Sequence, residues 1–160
     1  MCRFASFKFK PAGKVAVRVA GSLDSHHEIP GDDGDRPNGW REGHYLPCGT
    51  IQCRTLDFDK LSGLECEAIL KARWPTFAAF FAWALKKTDQ EKVWNGSLYL
   101  GSLTSAAGLT LPEKIGGWLY LDSLTSAAGL TLPKKIGGSL YLGGRKLSLA
   151  EATAEQKEAS

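Results

Sequence analysis

A chain of 160 residues can form one domain or two small ones, and its hydrophobic content of 43% is enough for a core. The net charge of +3 is too small for the dense basic surface of a nucleic-acid-binding domain, so a nucleic acid partner is not expected. The most apolar stretch, residues 77–85, is far shorter than the roughly 20 residues of a membrane-spanning helix, and no secretory signal is visible. We therefore expect a cytoplasmic protein with free thiols and no membrane partner.

The first half of the chain is predicted to form a small sheet and two helices. Aromatic and β-branched runs separated by turn residues predict strands over residues 2–9, 14–19 and 50–57. Between them, a stretch rich in Gly, Pro and Asp has no apolar period, which predicts a long loop over residues 21–47. Helix start signals and apolar runs predict two helices, over residues 62–73 and 76–87.

The most informative feature of the chain is a tandem repeat. Residues 96–116 and 117–137 repeat with a period of 21 residues, and a third copy begins at Gly138 and then stops. A fixed period in this range predicts stacked supersecondary units, each of which covers the apolar face of the unit before it. The two full copies differ at only three pairs of positions, which are Ser97/Trp118, Gly101/Asp122 and Glu113/Lys134.

Each repeat contains a Leu-Tyr-Leu segment that is typical of a short strand. Because side chains alternate along a strand, the leucines are expected inside and the tyrosine outside. Equal spacing then predicts parallel, in-register strands over residues 97–100, 118–121 and 139–142. Further apolar residues are predicted to fill the interior, namely Leu103, Leu109, Leu111 and Ile115 with Leu124, Leu130, Leu132 and Ile136. The outer aromatic side chains are the candidate binding residues, namely Tyr99, Trp118, Tyr120 and Tyr141.

These elements predict an α+β fold, in which a small N-terminal antiparallel sheet with two helices continues into a short leucine-rich-repeat-like β-solenoid. We expect an N-terminal domain over residues 1–95, two and a half repeats over 96–144 and a capping tail over 145–160. Ser148 and Glu151 have the spacing of a capping box, which predicts a helix in the tail, with frayed residues from 154 onward. The tyrosine row is either exposed or covered by the N-terminal domain or the tail.

Two patterns resemble small phage-encoded proteins. The repeat resembles leucine-rich-repeat-like arrays of phage and prophage proteins, in which G-G-x-L-Y-L coils recur at about this period. The opening M-C-x-F-x-S-F, the D-S-H at residues 24–26 and the run GWREGHY at residues 39–45 are similar to a family of small phage proteins. The resemblance implies a phage or prophage origin and the cytoplasm of a bacterial host. By analogy with other small phage proteins, it also implies inhibition of a host defence component.

Cys2 is the candidate for chemistry. With His26 or His27 as base and Asp24 nearby, it would form the Cys-His arrangement of a small hydrolase or transferase. If Met1 is removed, the amine of Cys2 itself can act as the base. The alternative interpretation is a small apolar residue at the start of an edge strand.

A zinc site is a further alternative. His44, Cys48 and Cys53 have spacings near those of zinc ligands, with Cys66, His26 or Cys2 as a fourth ligand. Since no C-x2-C pair is present, inert cysteines are favoured, and we expect neither a metal nor another cofactor.

The favoured function is a non-enzymatic protein-binding module. No Gly-rich phosphate loop or established catalytic motif is visible, and a repeated surface suits binding better than a single active site. The expected partner is a host protein or a second copy of the chain, in a homo-oligomer. The enzyme that uses Cys2 remains the alternative.

Overall fold

The computed structural model describes residues 6–10, 16–19, 41–53, 63–125 and 129–158. It contains both helices and strands, so the fold is α+β, as predicted. The chain divides into two compact units, Met1–Phe80 and Phe81–Ser160.

The first unit contains a four-stranded antiparallel sheet with the strand order β2-β1-β3-β4. Its strands are β1 (Ser6–Lys10), β2 (Ala16–Val19), β3 (Arg41–Tyr45) and β4 (Ile51–Cys53). The predicted loop is therefore wrong over residues 41–45, which form an inner strand. The sequence of β3, REGHY, has weak strand propensity, and its conformation is stabilised by backbone pairing on both sides.

The two predicted helices are present as α1 (Gly63–Arg73) and α2 (Phe77–Lys87). Tyr45, at the end of β3, is completely buried in the first unit. Its ring stacks on Phe80 with a centroid distance of 5.2 Å, and its hydroxyl donates a hydrogen bond of 2.8 Å to the carbonyl oxygen of Trp74. Burial raises the pKa of the Tyr45 phenol. This aromatic cluster joins the sheet to the helices of the first unit.

The second unit contains two sheets built largely from parallel strands that are related by the repeat period. One sheet has the order β11-β10-β8-β6, and the other has the order β5-β7-β9. The strands are β5 (Val93–Trp94), β6 (Leu98–Tyr99), β7 (Lys114–Ile115), β8 (Leu119–Leu121), β9 (Lys135–Ile136), β10 (Leu140–Leu142) and β11 (Arg145–Leu147). β5 pairs with β7 at the same offset of 21 residues, so this pairing begins before the first repeat recognised in the sequence.

The Leu-Tyr-Leu strands pair in parallel, which confirms that prediction. Leu98 lies opposite Leu119, and Leu119 lies opposite Leu140. The inward leucines of all three strands are completely buried. The stacked backbones approach so closely that a Cβ atom on Gly137 would overlap the carbonyl oxygen of Gly116, so glycine is required there.

The predicted interior of the repeats is buried except near its C-terminal end. Leu132 and Ile136 are only half-buried, whereas their counterparts Leu111 and Ile115 are buried. The difference follows from the topology, because β9 is the last strand of its sheet and no further coil covers it.

The C-terminal tail forms β11 and α3 (Leu149–Glu158). The capping box is confirmed: the backbone N–H of Glu151 donates to Ser148 Oγ at 3.2 Å, and the N–H of Ser148 donates to Glu151 Oε2 at 2.7 Å. The helix continues to Glu158, so the prediction of fraying from residue 154 is wrong over most of that range. The strand β11 was not predicted.

Candidate functional site

Three tyrosines form a continuous stack on the outer face of the sheet β11-β10-β8-β6. The repeat period places Tyr99, Tyr120 and Tyr141 at the same register position on neighbouring parallel strands. Both adjacent ring pairs have a centroid distance of 4.8 Å and nearly parallel planes, at 8° and 6°. This distance equals the spacing of neighbouring strands, so the backbone pairing itself sets the stacking geometry.

Trp118 lies beside the tyrosine stack, at the position that serine occupies in the neighbouring repeats. Its ring is 6.1 Å from both Tyr120 and Tyr141 and is inclined to them by 66° and 60°. Its backbone N–H donates to Ser97 Oγ at 3.0 Å. The indole lies against the backbone at Gly138, where a Cβ atom would overlap the ring. The indole therefore packs in one position against the sheet.

Two side chains of the aromatic row are largely exposed. Tyr99 is 57% exposed and Trp118 is 46% exposed, while Tyr120 and Tyr141 are half-buried by their neighbours in the stack. Two charged residues belong to the same surface: Asp122 follows β8, and Lys146 lies on β11. We call this surface the tyrosine face and define it by the residues Tyr99, Trp118, Tyr120, Asp122, Tyr141 and Lys146.

Lys146 belongs to the tyrosine face because it pairs in antiparallel register with Tyr141. Residues directly opposite in such a pair project to the same side of the sheet. The sequence holds a signal for this strand, the pair Gly143-Gly144 directly after the last Leu-Tyr-Leu segment. Gly143 and Gly144 have φ values of 57° and 79°, which is the pattern of a two-residue hairpin turn between β10 and β11.

The pKa of the Tyr120 phenol is raised, first by loss of solvent and then by Tyr99, Tyr141 and the negative charge of Asp122. Tyr120 is therefore neutral at physiological pH, and its hydroxyl can both donate and accept a hydrogen bond. The centre of the tyrosine face thus combines apolar ring surface with a neutral polar group and a nearby carboxylate.

Two of the three differences between the repeats lie on the tyrosine face. Trp118 replaces the serine of its neighbours, and Asp122 replaces glycine, both around the middle strand β8. The third difference produces an ion pair between coils, in which Lys134 Nζ lies 3.0 Å from Glu113 Oε2. Hydrogen bonding from Lys134 and its charge lower the pKa of the Glu113 carboxyl.

A groove of about 520 Å³ lies between α3 and the last coil. Leu130, Leu132 and Pro133 line one side, and Leu149, Thr153 and Gln156 of the helix line the other. The Gln156 side-chain amide donates a hydrogen bond to the carbonyl oxygen of Leu130. This contact fastens α3 to the end of the repeats.

The candidate catalytic residues Cys2, Asp24, His26 and His27 lie outside the described residues, so the enzyme hypothesis stays a prediction. Cys48 is exposed, and its thiol is 3.4 Å from Thr50 Oγ1. Within the part of the chain that the structure describes, no three His, Cys, Asp or Glu residues are grouped as a metal ion would require. Among the helices described, none is long and apolar enough to cross a membrane.

The chain matches no protein-family model, no curated protein and no solved structure at a significant level.

Proposed function

We propose that the chain is a non-enzymatic protein-binding module of phage or prophage origin that uses the tyrosine face to bind, and thereby inhibit, a defence protein in the cytoplasm of a bacterial host. The observation that carries this proposal is the exposure of Tyr99 and Trp118 in one continuous aromatic row. Exposed aromatic patches on a soluble surface are typical of protein interfaces, where tyrosine and tryptophan supply most of the binding energy.

The repeats support this function as a rigid platform. We propose that they form a short leucine-rich-repeat-like β-solenoid, because strands one period apart pair in parallel in both sheets of the second unit. The stacking of the tyrosine rings and the packing of the Trp118 indole against Gly138 hold the aromatic side chains in place before binding. Little side-chain entropy is then lost when a partner docks, which favours affinity.

The neighbouring repeats supply substitutions that the fold is expected to tolerate. Trp118→Ser and Asp122→Gly each give the middle coil a residue that its neighbouring coils already have, so the fold is expected to tolerate both. The tagged wild-type chain is used to capture partners from a bacterial host, and mass spectrometry identifies them. We expect Trp118→Ser to lose the captured partner. Val93→Ala, which removes an exposed apolar side chain on the other sheet, is the matched control and is expected to retain it.

Direct affinity measurement with the purified partner completes the test, and inhibition is then assayed on the activity of that partner. Equal affinity of the wild type and a folded Trp118→Ser variant would exclude the tyrosine face as the binding surface. Binding without loss of the partner's activity would support the hypothesis of a protein-binding module and contradict the hypothesis that the chain is an inhibitor.

A further inference from the structure

The tyrosine face carries one negative and one positive group on opposite sides of the same strand. Asp122 is adjacent to β8 and Lys146 lies on β11, and these two strands flank β10 in the sheet. Both side chains are exposed, and neither forms a salt bridge with another residue in the described part of the chain. Each strand lies about 4.8 Å from β10, so the two charges stand on either side of this strand, with Lys146 level with Tyr141 and Asp122 two residues further along.

This arrangement is complementary to itself under two-fold symmetry. A two-fold axis that runs parallel to the strands above β10 would place β8 of one copy opposite β11 of the other. Asp122 and Lys146 differ by two residues along the strand direction, or about 7 Å, a gap that the lysine and aspartate side chains together can bridge. Because the axis is two-fold, the pair of Asp122 from one copy and Lys146 from the other forms twice in the dimer.

The same axis brings the aromatic residues together. Tyr141 faces Tyr141 of the second copy, and Tyr120 faces Lys146 of the second copy across the sheets. Aligned packing of two sheet faces is an ordinary arrangement in β-sandwiches, and aromatic pairs are favourable where they pack. A neutral phenol ring opposite an ammonium group adds a cation–π contact.

We infer that the tyrosine face is an isologous interface between two copies of this chain, in which Asp122 of each copy pairs with Lys146 of the other. The inference rests on the proposed function in one respect, the assignment of the tyrosine face as the binding surface, and a host protein that binds this face displaces the second copy. It also explains why the middle coil alone has an acidic residue at this position. A carboxylate in the first coil, at Gly101, would lie one strand further from the axis than Asp122 does.

Charge reversal with rescue is the test. Analytical ultracentrifugation of the full chain, at concentrations up to about 1 mM to include weak interfaces, should show the mass rise from 17.3 kDa toward twice that value. Asp122→Lys and Lys146→Asp should each weaken the dimer about tenfold or more, because each places like charges together. The double variant, with the charges exchanged, should recover the wild-type dissociation constant to within about threefold. Lys114→Asp, on the exposed side of the other sheet, is the matched control and should leave it unchanged.

The possible outcomes separate this inference from the proposed function. A wild-type chain that stays monomeric throughout, or a double variant without rescue, overturns the inference. If such a chain still captures a host protein that Trp118→Ser fails to capture, the proposed function stands without the dimer. If the double variant recovers the dissociation constant of the dimer and no host protein is captured, the dimer is supported and the hypothesis of a host partner is contradicted. Circular dichroism of every variant checks that a shift from dimer to monomer does not come from unfolding.

Discussion

Tyr120 has a different position from the other two tyrosines, because it has a stacked ring on both sides. Tyr99 and Tyr141 each have one tyrosine neighbour in the stack. Residues at the centre of an interface are shielded from water by those around them, and they contribute most to binding. Tyr120 should therefore be the most sensitive position of the tyrosine face for a partner that covers the whole tyrosine stack.

We predict that Tyr120→Ala weakens binding of a host partner by at least about tenfold, and more than Tyr99→Ala or Tyr141→Ala. The ring packs on the sheet surface and not in the interior, so the fold should persist. Isothermal titration with the partner measures the effect. A folded Tyr120→Ala variant with full affinity would contradict the prediction.

Leu119 shows the opposite case, a side chain that is completely buried at the centre of the coils. Its register partners are Leu98 on one side and Leu140 on the other. We predict that Leu119→Ala lowers the free energy of unfolding by about 2–5 kcal/mol, since truncation leaves a cavity between rigid strands. Urea unfolding measures the loss, and Thr104→Ala at an exposed position is the control. Similar losses of unfolding free energy in the two variants would contradict the prediction and would show that the interior relaxes around the missing side chain.

At the scale of elements, α3 is fastened to the second unit through charged and polar contacts. Arg145 donates two hydrogen bonds to the Glu155 carboxylate, at 2.9 and 3.1 Å. Ala152 is the one fully buried side chain among the described residues of this helix. Because both groups of this ion pair are exposed, it orients α3 and adds only modestly to its stability.

This contact predicts a specific pH dependence. Hydrogen bonding from Arg145 lowers the pKa of Glu155 below its ordinary value of 4.5. A carboxyl with a lowered pKa in the folded state stabilises the fold above its ordinary pKa, and this stabilisation is lost as the pH falls through the folded value. Between pH 6 and the acid range below 4.5, the urea midpoint of the wild type should fall more than that of Glu155→Gln. Glu158→Gln, at the exposed end of the helix, should follow the wild type.

The elements that the sequence predicted are those with a signal in their own residues: a repeat period, an apolar run or a helix start. The repeat period predicted the parallel strands and the tyrosine stack, because identical segments at equal spacing must occupy equivalent environments. β3 lacked a signal because REGHY has neither apolar alternation nor β-branched residues, and its conformation comes from pairing with β1 and β4. Asp122 was visible in the sequence as a difference between the repeats, but its place near Lys146 was not, because only the register of β11 places Lys146 beside Tyr141.

At the scale of the whole molecule, the solenoid that we propose makes the second unit a one-dimensional stack. Its strands pair with neighbours one period away, so its stability should be close to a sum of coil and interface contributions. The C-terminal end is incompletely covered, since Leu132 remains half-buried next to the groove beside α3. The stack is therefore short enough for the addition of one coil to change its stability measurably.

We predict that a second copy of residues 96–116, inserted directly after Gly116, extends both sheets by one strand and stabilises the second unit. The inserted coil meets the same residues above and below it that the original coils meet, except where the two repeats differ. At those three positions like residues become neighbours: two serines at position 97, two glycines at position 101 and an exposed pair of glutamates at position 113. The added burial should raise the urea midpoint, and the denaturant dependence should steepen because more surface becomes exposed on unfolding. A Gly/Ser insert of equal length at the same site is the control, and it should lower the midpoint because it adds chain entropy without contacts. If the repeat insert lowers the midpoint as the Gly/Ser insert does, the coils are not interchangeable units, and the solenoid that we propose would be excluded.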